Sequence, residues 1–258
     1  MILTDTHTHL YLDAFNDDRD AMVKRALEAG VKYMLLPHID SETTDVLHQL
    51  SDQYPANIFP MMGLHPTSVK EDYEKELAWV EKNLSQRKYC AIGEVGIDLY
   101  WDKTFASQQE LCLLRQTALA MDYDLPMVIH TRNSMDVTLD ILESIADPML
   151  RGVFHCFGGD KIQAERVIQL GFLLGIGGVL TFKNSNLAEV LADIDLQHIV
   201  LETDAPFLAP APHRGARNES AYVVLVAKKL AEIKGVSVET LAKITSENAV
   251  RLFNLPLI

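Results

Sequence analysis

The chain has 258 residues, of which 48% are hydrophobic and 23% are charged, and its formal net charge at neutral pH is −13. This composition is that of an ordinary soluble globular protein, and the length fits one domain over residues 1–258. The acidic balance excludes a protein that binds nucleic acid through a broad basic face, so a polyanionic substrate would need bound cations and a few placed basic side chains.

Three further features bear on where the protein works. No apolar run approaches the roughly 18 residues that span a membrane, and no basic segment leads into an apolar one as in a secretory signal. Three scattered cysteines, Cys90, Cys112 and Cys156, argue against a disulfide framework. We therefore expect a cytoplasmic protein without membrane contact, and nothing in the sequence implies a stable protein partner.

Short β-type runs alternate with longer amphipathic stretches along the whole chain. The runs predict strands over 2–6, 32–36, 58–62, 89–94, 127–130, 152–155, 172–176 and 199–202. The amphipathic stretches predict helices over 18–29, 43–53, 73–84, 105–123, 135–146, 162–170, 187–192, 221–233 and 238–252. Eight strand–helix units predict an α/β protein with a closed (β/α)8 TIM barrel, which the last helix could cap. An open doubly wound sheet is the alternative, but no G-x-G-x-x-G follows the first strand.

The first predicted strand leads into TDTHTHL, in which His7 and His9 lie two residues apart. Side chains two apart in a strand point to the same side, so both imidazoles could bind one ion. With nine histidines in the chain such a pair easily arises by chance, and the later strands must decide. Asp5, one step deeper on the same face, is expected to support these histidines rather than to bind the ion.

Side chains of ligand type end or follow four of the later strands. Glu94 ends predicted strand 4, His130 and His155 end strands 5 and 6, and Asp204 follows strand 8. A single histidine at a strand end is more often a hydrogen-bonded core or turn residue than a ligand. In a barrel, however, the carboxyl ends of all strands meet at one face. Five such ends therefore predict a metal centre.

The number of ligands indicates two ions. Imidazole and carboxylate groups together suit Zn, Mn, Fe or Mg, and six are too many for one catalytic zinc. We expect Glu94 to bridge two divalent ions. The remaining expected ligands are His7, His9 and Asp204 for one ion and His130 and His155 for the other. Ions about 3.5–4 Å apart can activate a water and stabilise both oxygens of an in-line displacement at phosphorus.

Two carboxylates near strand 8 have further expected roles. Asp204 is a candidate general base that takes the proton of the attacking water, which makes it, with Glu94, a predicted catalytic residue. Glu202 shares a strand face with Asp204 and could hold a ligand in place, although a salt-bridged interior glutamate would fit equally well.

Other polar and aromatic side chains lie where a substrate could reach them. His65, Arg132 and Lys183 follow strands 3, 5 and 7 and could contact a phosphate, although an arginine at a barrel rim often pairs with a neighbouring acid. Tyr100 and Trp101 could stack a nucleobase, or they could pack beneath a loop.

Nine segments resemble, in this order, the TatD family of metal-dependent deoxyribonucleases: THTHL, GLHP, IGEVGID, VIHTR, FHCF, GGVLTFKN, ETDAPFL, HRGARNE and NAVRLF. The resemblance runs from residue 6 to residue 253. It implies a barrel of the metallo-dependent hydrolase superfamily, a divalent metal centre, and exonuclease-type hydrolysis of DNA, with single-stranded ends as the expected substrate. It carries ligand roles onto the six residues named above. One departure is Ser220, where the family commonly has proline, far from any ligand in the chain.

Two other functions remain open. A small-molecule hydrolase of the same superfamily would cleave an amide, lactone or ester. Many such enzymes bridge two ions with a modified lysine at the end of strand 4, where this chain has Glu94, which favours the nuclease. An aminoacyl-ester or tRNA-directed activity would use the same ligands. A metal-binding protein without a reaction is disfavoured, because no ligand position is missing.

Overall fold

Eight strands alternate with helices in a computed structural model, which describes residues 1–145 and 147–257. The strands are β1 (Leu3–Asp5), β2 (Val31–Leu36), β3 (Ile58–Pro60), β4 (Ile92–Asp98), β5 (Met127–Arg132), β6 (Gly152–Phe154), β7 (Phe172–Ile176) and β8 (Ile199–Leu201). The helices are α1 (Arg19–Glu28), α2 (Thr44–Gln53), α3 (Tyr73–Gln86), α4 (Ala106–Asp122), α5 (Met135–Ile145), α6 (Lys161–Gln169), α7 (Leu187–Ala192), α8 (Val223–Lys234) and α9 (Val238–Phe253). Residue 146, the predicted end of the fifth helix, and residue 258, the predicted end of the domain, lie outside the described residues.

The strands pair in parallel in chain order, β1 to β3 in one sheet and β4 to β8 in the other. Backbone hydrogen bonds join the two sheets at both edges. The N–H of Thr6 donates to the carbonyl of Leu201 over 3.0 Å, and the N–H of Gly93 donates to the carbonyl of Met62 over 3.0 Å. The predicted TIM barrel is therefore confirmed, and the open doubly wound sheet is excluded. Within the described ranges, no helix has both the length and the hydropathy that crossing a membrane requires.

Apolar side chains fill the interior of the barrel below its mouth. Strand residues such as Tyr33, Val128 and Val200 pack there with Phe253 of α9. Helix α9 lies at the amino-terminal ends of the strands, where the amide of Asn248 donates to two carbonyls beside the start of β8. The expected cap is thus confirmed, and it leaves only the carboxyl ends of the strands for polar chemistry.

Strand β4 departs from the prediction in a way that shapes the site. It starts at Ile92 rather than at residue 89 and continues past Glu94 to Asp98. Gly93 pairs with Val128 and Val95 pairs with the next residue of β5, so Glu94 is an extra residue in a β-bulge. The prediction that Glu94 ends the strand is therefore wrong. A bulge redirects the side chain that it inserts, and here the carboxylate meets the histidine of β5 and those that follow β1 and β6.

Gly96 brings β4 unusually close to β5. Its φ is +146°, and a Cβ added to it would lie 2.0 Å from the carbonyl oxygen of His130. Only glycine fits this combination of dihedral angle and contact. The close approach fixes the spacing between the strand that carries Glu94 and the strand that carries His130.

Candidate metal centre

The other five predicted ligands converge around one buried carboxylate, that of Glu94. Its Oε2 lies 3.1 Å from Nε2 of His7 and 3.5 Å from Nε2 of His9. Its Oε1 lies 2.7 Å from Nδ1 of His130 and 3.0 Å from Nε2 of His155. The two carboxylate oxygens therefore face different histidines, as two cation positions that share one carboxylate require.

Asp204 completes the first of these two groups. Its Oδ1 lies 3.5 Å from Nε2 of His9 and 3.8 Å from Nε2 of His7. The Asp204 side chain is 14% exposed and that of Glu94 only 2%, so Asp204 is the carboxylate that reaches the open mouth. Burial raises the pKa of Asp204 to about 6, against the opposing effect of the nearby histidines.

The backbone of Asp204 adopts a left-handed conformation, with a φ of +57° that non-glycine residues rarely take. Asp5 stabilises this turn, because its carboxylate accepts the N–H of Thr203 over 2.9 Å and the hydroxyl of Thr203 over 2.7 Å. Asp5 reaches His7 only through the backbone N–H, over 3.4 Å, and bonds neither imidazole in the described part of the chain. We expected Asp5 to hold the imidazole rings of His7 and His9, but it holds the backbone before Asp204 instead. The reason is that β1 ends at Asp5, so the alternation of side chains does not continue to His7.

The hydrogen bonds of His9 leave its Nε2 free for a metal. The hydroxyl of Tyr11 donates to the carbonyl of Pro37 over 2.6 Å, so its oxygen accepts a hydrogen bond from Nδ1 of His9 over 3.0 Å. A neutral His9 ring then carries its hydrogen on Nδ1 and turns the lone pair of Nε2 toward Glu94. This is the tautomer that a metal ligand needs.

His7 lies beside carboxylates, with Nε2 3.1 Å from Oε2 of Glu94 and 3.8 Å from Oδ1 of Asp204. Its side chain is fully buried, and within the described residues neither ring nitrogen forms a hydrogen bond. Burial lowers the pKa of His7 well below its usual value, which keeps the ring neutral. An unpaired buried imidazole is costly unless something binds it. The residues present therefore fit a divalent metal ion.

Asp98, which the sequence analysis did not single out as a site residue, holds the ring of His130. Its Oδ2 lies 3.0 Å from Nε2 of His130, and its Oδ1 accepts the backbone N–H groups of Tyr100 and Trp101. Burial opposes ionisation of Asp98, but these hydrogen bonds outweigh it and lower the pKa to about 2. The alternation of Val95 and Ile97 with the polar Glu94 and Asp98 was a sequence signal for this residue.

Glu202 has the corresponding position beside His155. Its Oε1 lies 3.4 Å from Nδ1 of His155 and accepts the backbone N–H of Cys156 over 2.6 Å. A Cβ on Gly175 would lie 2.4 Å from the other oxygen of Glu202, so the glycine makes room for the carboxylate. Burial alone would lower the pKa of His155, but Glu94 and Glu202 raise it well above its ordinary value.

His65 lies within the centre rather than at its rim. Its Nε2 is 3.3 Å from Oε1 of Glu94, and its Nδ1 accepts the backbone N–H of Thr67 over 3.1 Å. Because Nδ1 accepts, a neutral His65 carries its hydrogen on Nε2 and directs an N–H donor toward the centre. This orientation suits an anionic oxygen better than it suits a metal ion, although the ring lies within reach of both.

Arg132 and Lys183 stay apart from the ligand cluster. Both are exposed, and neither makes a hydrogen bond or an ion pair with a predicted ligand in the parts of the chain that the structure describes. The guanidinium of Arg132 instead lies 4.0 Å from the ring centre of Tyr100 and 5.0 Å from that of Trp101. If either residue contacts a substrate, it does so at the edge of the mouth.

A family model, similar sequences and similar solved structures all match this chain to one family. The model of the family described as TatD related DNase matches residues 4–254. The chain is 35% identical over 255 residues to the uncharacterized metal-dependent hydrolase YabD of Bacillus subtilis, covering 98% of this chain and 100% of YabD. It is 32% identical to YjjV of Escherichia coli, whose crystal structure, described as that of a TatD homologue, matches with a TM-score of 0.93 over 98% of both chains. A TatD family hydrolase from Entamoeba histolytica, 20% identical, shares the fold with a TM-score of 0.84 over 98% of both chains.

Proposed function

Because this chain belongs to the TatD family of metal-dependent hydrolases, we propose that it hydrolyses phosphodiester bonds of DNA and trims single-stranded ends with two divalent ions. The observation that carries the proposal is the position of Glu94, whose two oxygens face different histidines. Zinc, magnesium and manganese are the candidate ions, since each accepts oxygen and imidazole ligands. The cytoplasm is the expected location.

Each ion would have its own set of side chains. The proposed ligands are His7, His9 and Asp204 for one ion and His130 and His155 for the other, with Glu94 shared. When bound, such ions would lower the pKa of a water and neutralise the charge that develops on the phosphoryl oxygens.

The protein's own groups would move the proton and hold the substrate. Asp204 is the proposed proton acceptor, because its carboxylate is the more exposed of the two and the attacking water must enter from the mouth. The Nε2–H of His65 would donate to a non-bridging phosphate oxygen. Arg132 and Lys183 at the edge would attract the DNA backbone locally, which a chain of net charge −13 needs.

The test is trimming of a labelled single-stranded oligonucleotide with added Mg²⁺ or Mn²⁺, with the label at either end to reveal polarity. We expect the wild type to shorten the oligonucleotide and His130→Ala to be at least about 100-fold slower. The matched control is His198→Ala, which removes a partly exposed histidine before β8 at the other end of the barrel.

Equal trimming by His130→Ala and the wild type would indicate a contaminating nuclease and would contradict the proposal. Hydrolysis of an aminoacyl ester or a lactone by the wild type, with no trimming of DNA, would also contradict it. That result would favour the small-molecule hydrolase.

A further inference from the structure

We propose that the loop after β4 forms a binding site for a nucleobase next to the metal centre, with Trp101 as its stacking surface. The proposal rests on the proposed function, since it assigns the place of one base of the DNA substrate. It starts from an exposed aromatic pair that the metal chemistry leaves unused.

Tyr100 and Trp101 lie on the surface, with 51% and 67% of their areas exposed. Their rings are edge-to-face with centres 4.9 Å apart. The alternative that they pack beneath a loop is therefore wrong. Tryptophan is usually mostly buried, so a ring exposed to this extent beside a catalytic centre offers a free face for a planar ligand.

A cavity of about 210 Å³ opens beside Trp101, between the loops that follow β3 and β4. Its apolar wall is formed by Pro66, Val69 and Phe105 together with Trp101. Sites for drug-sized ligands are usually about 300 Å³ or larger. This cavity is therefore sized for a single ring system rather than for a larger organic molecule.

Cationic groups accompany the aromatic rings. The guanidinium of Arg132 lies over Tyr100 at 4.0 Å. Nζ of Lys70 lies 5.7 Å from the ring centre of Phe105, in the cavity wall, and 3.7 Å from Oδ2 of Asp102, which also lines the cavity. Aromatic faces interleaved with basic groups are typical of sites that hold single-stranded nucleic acid by stacking and charge.

Asp98 connects this cavity to the metal centre. One of its oxygens accepts the N–H groups of Tyr100 and Trp101, and the other lies 3.0 Å from Nε2 of His130. Asp98 also lines the cavity. A base stacked on Trp101 would thus be held at a fixed position relative to a phosphate at the ligand cluster. Stacking does not read the edge of a base, so we expect tolerance of base identity.

Binding at Trp101 can be followed by tryptophan fluorescence without turnover, because the chain has only two tryptophans. Trp79→Phe leaves Trp101 as the sole indole, and its fluorescence is followed on titration with deoxyadenosine 5′-monophosphate and with deoxyribose 5-phosphate. We expect the nucleotide to quench Trp101 and to bind about 10-fold tighter than the sugar phosphate, since stacking of one base contributes roughly that factor. Equal affinity of the two probes, with no quenching, would overturn the proposal.

A kinetic comparison tests the same site in the complete enzyme. We expect Trp101→Ala to raise KM for the oligonucleotide about 10-fold and Trp101→Phe, which keeps a ring, to recover most of the loss. The matched control is Tyr123→Ala, another exposed aromatic, which follows α4 at the opposite end of the barrel and should keep the wild-type KM. A wild-type KM in Trp101→Ala would refute the base site.

The two proposals fail in distinguishable ways. If the wild type trims no DNA, the proposed function is wrong, and the titration still decides whether Trp101 binds a base. If the wild type trims DNA and Trp101→Ala matches it, only the base site is wrong. Because Trp101 is exposed, its replacement leaves the core intact, and an unchanged Tm checks this.

Discussion

The imidazole of His130 lies between two carboxylates, with Nδ1 2.7 Å from Oε1 of Glu94 and Nε2 3.0 Å from Oδ2 of Asp98. The two contacts are on opposite sides of the ring. Because both partners are carboxylates, both ring nitrogens can donate; were Nδ1 to bind an ion in place of Glu94, Asp98 would accept the remaining hydrogen on Nε2 and hold the ring in this orientation. The aspartate acts on the metal site through the histidine, as a positioning residue.

Asp98→Asn should lower both metal affinity and kcat/KM by about 10- to 100-fold, because an amide cannot hold the histidine tautomer as a carboxylate does. Metal titration and steady-state kinetics measure the two losses. Asp193→Asn, which removes an exposed carboxylate paired with Lys161, is the control and should behave as wild type. Unchanged metal affinity in Asp98→Asn would show that the contact with His130 has no positioning role.

Removal of the metal should lower the Tm by about 10 °C, since ions that bind only the folded state stabilise it by roughly 4 kcal/mol at a thousandfold excess over Kd. Differential scanning calorimetry before and after chelation, with elemental analysis, measures this shift, and added metal should reverse it.

Glu94→Gln is the matched variant for the chelation experiment. The amide is close in size to the carboxylate but lacks the charge that both histidine groups face, so chelation should change the Tm of this variant very little. A wild-type protein whose Tm is also insensitive to metal removal would contradict a tightly bound centre.

His65→Ala should raise KM for the oligonucleotide about 10-fold without loss of metal, because the ring presents an N–H donor on Nε2 rather than a lone pair. His65→Gln, which can donate from its amide, should recover part of the loss. Metal content measured together with kinetics separates the two roles. Loss of an ion from His65→Ala would make the residue a ligand instead.

Gly96→Ala should destabilise the fold by more than about 3 kcal/mol or prevent folding, because the added Cβ would meet the carbonyl of His130 at 2.0 Å. Gly235→Ala is the control at a positive φ of +63°, where an added Cβ meets nothing within 4 Å. It should cost only about 1 kcal/mol. Urea unfolding measures both values, and equal losses would show that backbone conformation, and not the contact with β5, sets the cost at Gly96.

The sequence was sufficient to predict the order of the elements and the meeting of the six expected ligands, but it did not single out Asp98 or place His65 among them. Apolar runs that lead into His130 and His155 predict strands whose polar side chains face the same end of the barrel. The exact strand ends were wrong, because β5 continues past His130 to Arg132 and β6 ends one residue before His155. His7 and His9 could not be interpreted alone. Their meaning came from the positions of the other ligands.

The details of contact could not be predicted, since they depend on backbone geometry that no periodic pattern encodes. The bulge at Glu94 breaks the alternation of β4, and the left-handed turn at Asp204 gives Asp5 a backbone partner instead of an imidazole. His65 has its donor on Nε2 because its Nδ1 accepts the backbone N–H of Thr67, and that hydrogen bond depends on how the loop folds. Local chain geometry, rather than residue type, decides these roles.

The packing of Phe253 and its neighbours against Val128 and Val200 seals the barrel opposite its mouth. A DNA strand consequently cannot thread through the protein as through a pore, and substrate and product must pass through the same opening. Under the proposed function, the released nucleotide would therefore leave on the side from which the DNA end enters.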